Sequence, residues 1–327
     1  MKTPEPLEPP AWFSPMDAGA LTPERVHLVA TEAERLTCNT ALQTASTDQV
    51  RIAAFAIDCQ ASFCHPLGSL FVPGAVEDLG RAVGWLYRNL GRITTLVLSQ
   101  DAHHASQIFH PAWWRDAEGR PPAPFTPITA ADVLSGRWIP KHAPEASLEY
   151  VRQLDVTQRY TLTIWPYHCL VGGVGQAIMP ALSEAALLHS LARDTSPVWV
   201  SKGSHPLTES YSVLSPEVTR LCGAEVGAFD EALYQTLLAH DRVYVFGQAS
   251  SHCVAATLAD LLRRIEQQDP SLARRIYILE DAMSPVAPPP LDPLPDALNF
   301  PQVARRALER ARAAGMTLCR CADPVEI

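Results

Sequence analysis

The stretch Val243–Leu262, VYVFGQASSHCVAATLADLL, decides the fold. It opens on a short, wholly apolar run of the kind found in strands buried on both faces. A polar turn follows, and an amphipathic helical pattern begins at His252 and runs to Gln267. Strand, turn and helix in that order are half of a parallel crossover unit. Cys253 falls where strand gives way to helix.

Working outward, the same alternation recurs. Further apolar runs lie at Ile52–Ile57, Ile93–Leu98, Tyr160–Ile164, Val198–Val200 and Ile276–Leu279. Amphipathic stretches lie between them at Val76–Leu90, Gln176–Leu191 and Asp230–His240, and Pro301–Ala314 reads as a late helix. Met316–Cys319 reads as a short extra strand. The pattern predicts an α/β fold: a three-layer α-β-α arrangement around a doubly wound, six-stranded, mostly parallel sheet. Residues 1–50 precede the first strand and read as an N-terminal arm with one helix around Pro23–Leu42. Residues 51–327 read as a single domain. Residues 104–158, with HPAWW and RPPAPFTP, are too long for a plain connection and read as a functional insertion.

Composition narrows the function. The chain has 327 residues, 47% of them hydrophobic, and a net charge of −9. That balance opposes a nucleic-acid partner or an anionic membrane surface and favours a small-molecule substrate. The N-terminus, MKTPEPLEPPAWF, lacks the apolar core of a signal peptide, and no run is long enough to cross a membrane. The eight cysteines form no spaced framework and are expected to be reduced in a cytoplasmic protein. The sequence is compatible with a homo-oligomer without indicating one.

Chemistry-bearing residues collect at predicted strand ends. Asp58 follows the first run, Asp101 and His103 the second, His168 the third, Lys202 the fourth and Cys253 the fifth. In open α/β sheets that edge is where ligands bind. Singly, each has a plainer explanation: a solvated strand end for Asp58 or Lys202, a packed thiol for Cys253, a structural imidazole for a lone His. Together Asp58, Lys202 and Cys253 offer a base, a cation and a nucleophile. A helix start beside Cys253 is expected to favour thiolate. Asp101 and His103, two apart in extended chain, point the same way. With His168 they can hold one divalent ion (Zn, Fe or Mn) with positions left open, and His104 and His110 are further candidates.

These residues resemble the motifs of the nicotinamidase branch of the isochorismatase-like cysteine hydrolases. The motifs are AIDCQASFC (56–64), QDAHHASQIFH (100–110), WPYHCLVGGVG (165–175), SKG (201–203) and SSHCVAAT (250–257), in the family's order. The resemblance spans about residues 51–282. It implies an isochorismatase-like, Rossmann-like fold and hydrolysis of nicotinamide, or another small carboxamide, through a thioester, with a place in NAD salvage. By motif position Asp58 is the general base, Cys253 the nucleophile and Lys202 its support. Asp101, His103 and His168 are metal ligands, with His110 the fourth. Phe63, Trp165 and His252 contact the substrate. A cis peptide at Gln248–Ala249 aims the N–H groups of Ala249 and Cys253 as an oxyanion hole. Ala61-Ser62 depart from the family's Asn-Asp. Rival readings are a non-catalytic metal-binding protein of this fold and a hydrolase using metal-activated water.

Overall fold

The alternation of strand and helix closes into one sheet. The computed structural model describes residues 6–39, 42–157, 159–290 and 292–326. Six strands form the sheet: β1 (Ile52–Ile57), β2 (Thr95–Asp101), β3 (Val198–Lys202), β4 (Arg242–Gly247), β5 (Ile276–Leu279) and β6 (Thr317–Cys319). Their spatial order is β6-β5-β4-β1-β2-β3, and every pairing is parallel. The winding therefore reverses between β1 and β4. Loops leaving neighbouring strands there turn to opposite faces and open a crevice at the carboxyl edge.

Seven helices carry the packing: α1 (Val26–Asn39), α2 (Ala75–Asn89), α3 (Pro144–Thr157), α4 (Pro180–Arg193), α5 (Glu231–Leu238), α6 (Cys253–Gln268) and α7 (Phe300–Ala313). Alternate side chains of the strands point to opposite faces. Ala54, Ala56, Leu98 and Phe246 join a core with Val29 of α1, Val83 of α2 and Leu182 of α4. Phe55, Val97 and Val245 join a second core with Leu237 of α5 and Leu258 and Leu261 of α6. Three layers result, each fully buried aliphatic or aromatic side chain contributing about 1.5–3 kcal/mol. The small residues of β1, IAAFAI, are all buried, so helices approach the centre of the sheet closely.

Two expectations are corrected. Tyr160–Ile164 does not join the sheet. Only Leu162–Thr163 is extended, pairing antiparallel with Pro127–Ile128, and the sixth strand is Thr317–Cys319. The run pairs instead with a segment of the insertion, away from the parallel sheet. Second, Val198–Val200 is not buried on both faces. β3 is an edge strand, and Trp199 is 53% exposed. The insertion contains α3, whose Tyr150, Val151 and Leu154 are buried at helical spacing. The arm's helix ends at Asn39, and residues 40–41 of its expected span lie outside the described residues. Among the described residues no helix is long and apolar enough to cross a membrane.

Gly247 ends β4 beside β1 with φ 126°, and a Cβ there would stand 2.0 Å from the Ile57 carbonyl oxygen. Both conformation and space demand glycine. Gly247→Ala is expected to destabilise the protein by about 3 kcal/mol or more, read as a lower denaturant midpoint at unchanged slope.

Candidate active site

Asp58 is the first residue past β1. It is fully buried, and its φ of 47° turns the chain out of the sheet plane. Its Oδ1 accepts a hydrogen bond from Ser99 Oγ at 2.7 Å. Its Oδ2 is paired with Lys202 Nζ at 2.9 Å, and the carboxyl also lies within hydrogen-bond reach of the Cys253 thiol. Burial raises the Asp58 pKa above the usual carboxylate range, against the pull of Lys202.

Lys202 closes β3 and points inward. Its ammonium donates to Asp101 Oδ1 at 2.5 Å and to the Ser210 carbonyl at 2.8 Å, and stands 3.6 Å from Cys253 Sγ. Burial opposes its charge, but Asp101 and Asp58 more than offset this and hold its pKa well above normal. Cys253 begins α6, and burial pushes its thiol pKa well up despite Lys202, with Asp58 and Asp101 adding to the rise. Burial thus works against the thiolate that a helix start was expected to favour.

The chain also crosses the crevice as a turn. The Gln248–Ala249 peptide is cis, as the resemblance implied. Among the described residues the backbone N–H groups of Ala249 and Cys253 donate to no protein group, while those of His252 and Val254 both bond to the Ala249 carbonyl.

On the β2 side, Asp101, His103 and His168 bring one ligand atom each within 4.8 Å of the others. All three are buried. His103 Nδ1 is bonded to the Gly203 carbonyl at 2.9 Å and His168 Nδ1 to the Pro166 carbonyl at 2.8 Å, so each Nε2 carries the lone pair. His103 Nε2 is buried without a hydrogen-bond partner among the described residues. Burial holds His168 well below the ordinary imidazole range; for His103 burial acts the same way, but Asp101 prevails and raises it. An orphaned Nε2, a neutral imidazole and a carboxylate converging in a dry site suit a divalent ion. His110 lies outside this compact set, its ring centroid 6.0 Å from His103 and 5.8 Å from His168. It too has a buried Nε2 without a partner, and burial lowers its pKa to about 4. His104 points elsewhere and is exposed.

His168 reaches the site from a loop rather than a strand end. That loop is pinned where His103 N–H bonds the Cys169 carbonyl and Val171 N–H bonds the His103 carbonyl. Ser62 adds to it, its hydroxyl accepting from Cys169 N–H at 2.9 Å, which gives the Ala61-Ser62 departure a structural use.

Several residues were not singled out from sequence. Gln60 clamps Asp101, accepting its N–H at 2.7 Å and donating to its carbonyl at 2.8 Å. Gly203 has φ 75°, and a Cβ there would stand 2.5 Å from the His103 ring. Glu209 lines the cleft, its pKa raised to about 7 by burial. The cleft is walled by Phe63, Trp165, His168, Tyr211, His252 and Cys253. All eight cysteines are free.

No protein-family profile and no curated protein sequence matches the chain. Solved structures do. The yeast nicotinamidase Pnc1p, bound to the inhibitor nicotinaldehyde, is similar with a TM-score of 0.54 and 18% identity, over 82% of this chain and 99% of that one. A nicotinamidase/pyrazinamidase from Acinetobacter baumanii is similar with a TM-score of 0.52 and 20% identity, over 85% and 99%. The likeness is one of fold: this chain has the α/β architecture of those enzymes.

Two outcomes follow from the buried groups. Gly203→Ala is expected to weaken metal uptake by roughly 10–100-fold and to lower stability as well, since its φ and the His103 ring both oppose a Cβ, measured by titration of stripped protein and by denaturant midpoint. The carboxyl of Glu217, both oxygens buried without hydrogen bonds among the described residues, has its pKa raised from 4.5 to about 7 by burial. A raised folded-state pKa stabilises below the unfolded value and is lost as pH climbs through the folded one. Stability should therefore fall between pH 5 and 8, by on the order of 3 kcal/mol at most from this group. Glu217→Gln should flatten that fall in denaturant titrations at the two pH values.

Proposed function

We propose that the chain is a cysteine amidohydrolase that cleaves a small carboxamide, nicotinamide foremost, to the acid and ammonia. The observation that carries this is the Cys253 thiol set beside the buried Asp58 carboxyl and 3.6 Å from the buried Lys202 ammonium, at the switch point of the sheet. A scaffold protein has no use for that set, whereas thioester chemistry needs each member.

Asp58 Oδ2 takes the Cys253 proton as the sulfur attacks the amide carbon. The C–S bond forms, and the carbonyl electrons move onto oxygen, which the N–H groups of Ala249 and Cys253 receive. Lys202 stabilises the charge on sulfur while it lasts. Collapse breaks the C–N bond, and Asp58 returns its proton to the departing nitrogen, releasing ammonia. A water then attacks the thioester, giving Asp58 a proton that passes back to the sulfur as the acid leaves. The raised pKa of Asp58 fits a group that must both take and return a proton.

Asp101, His103 and His168, with His110 nearby, would hold a divalent metal that supplies a Lewis-acidic point for a ring nitrogen. Phe63 and Trp165 face the aromatic ring, and the wall that includes Tyr211 and His252 closes the far side.

Cys253→Ala is expected to lower kcat by about 10⁴-fold or more while leaving substrate affinity near that of the parent. Retained turnover would instead point to metal-activated water. With metal-loaded enzyme, kcat/KM for nicotinamide should exceed that for benzamide, the same shape without the ring nitrogen, by roughly 10²-fold or more. Equal values would mean that no metal orients the ring.

A further inference from the structure

Hydrogen-bond accounting behind the cleft fixes a proton that no sequence motif reveals. Ser251 is fully buried, with no access to water. Its Oγ accepts from Val286 N–H at 3.1 Å and lies 2.8 Å from His252 Nδ1. A hydroxyl has one hydrogen to place, and among the described residues His252 Nδ1 is the acceptor in reach. The reverse arrangement, Nδ1–H donating to Ser251, would bury the hydroxyl hydrogen with nothing to accept it. Ser251 therefore donates, Nδ1 accepts, and the ring proton sits on Nε2. That nitrogen has no protein partner among the described residues, is not sealed from solvent, and belongs to a residue of the cleft wall. Burial holds the ring neutral, with its pKa lowered to about 3.

The neighbouring wall residue follows the same logic. Trp165 Nε1 donates to Tyr211 Oη at 2.9 Å, and since indole only donates, the phenol proton is left unclaimed. Tyr211 and His252 pack with ring centroids 5.1 Å apart.

We propose that Ser251 is a positioning residue that locks His252 as an Nε2–H donor, and that His252 and Tyr211 together give the cleft a donor wall selecting carboxamides with a second acceptor, beyond the scissile amide and the atom facing Asp101, His103 and His168. The substrate half rests on the carboxamide reading above; the tautomer does not. Diazine carboxamides such as pyrazinamide fit this class better than nicotinamide, which has one ring nitrogen.

The test uses metal-loaded, full-length Cys253→Ala protein, so that binding is measured without turnover. Nitrogen NMR of ¹⁵N-histidine-labelled protein should show His252 protonated at Nε2 alone, and the added Ser251→Ala change should give mixed tautomers. An Nδ1–H signature, or no response to Ser251→Ala, overturns the positioning role. Calorimetric binding should favour pyrazinamide over nicotinamide by roughly tenfold, falling toward parity with His252→Phe, which keeps the ring. An unchanged preference overturns the donor role. Absence of binding by either amide sinks the carboxamide reading and the selectivity with it, while the nitrogen spectrum still decides the tautomer.

Discussion

One buried ammonium holds this site together. Lys202 lies between Asp58 at 2.9 Å and Asp101 at 2.5 Å, the first on the nucleophile side and the second on the metal side. Two carboxylates share one cation in a dry interior, which leaves an excess negative charge. Burial first, and the two carboxylates after it, raise the pKa of the nearby thiol, and the excess charge would favour a divalent cation beside Asp101. On the proposed function, attack chemistry and metal affinity would be coupled through a single nitrogen. Replacing Lys202 would disturb both at once, because either carboxylate would then be buried without a counter-charge.

The sheet order makes this arrangement attainable. β1 and β4 are adjacent at the reversal of winding, so Asp58 and Cys253 leave neighbouring strands and meet across the crevice. β2 and β3 are paired with Asp101 opposite Lys202 in register, so a backbone ladder sets the ion pair. Gln60 then ties the Asp101 backbone to the turn after β1, and the loop carrying His168 is stitched to His103 by two backbone hydrogen bonds. The site is rigid because its members hang on the ladder or are clamped to it.

Much of this was legible in the chain itself. Apolar runs closing on Asp58, Asp101, Lys202 and Cys253 gave away strand ends, since a charged or reactive side chain after a buried strand has few other places to be. The run Tyr160–Ile164 misled because four or five apolar residues look alike whether they join a sheet or cross a surface. α3 was hidden by the Pro- and Trp-rich composition around it. The upward shift at Cys253 was illegible for a different reason: a helix end is visible in sequence, but burial of the thiol and the charges of distant segments are not. Ser99, Gln60 and the Ser210 carbonyl were illegible too, because their roles depend on direction and distance rather than on residue type.

The cleft is built by a division of labour. Its reacting groups come from strand ends, but its walls come from elsewhere. Tyr160 and Trp165 adjoin the insertion, and Phe300, at the start of α7, packs on both Trp165 and His252. Arg159 fastens that wall to the nucleophile helix through Asp260 at 3.0 Å. Lengthening or recomposing either outer segment would resculpt what the cleft accepts while leaving the ladder-borne groups where they are. Such a plan separates the outline of the cleft, set by two peripheral stretches, from the groups held at the strand ends.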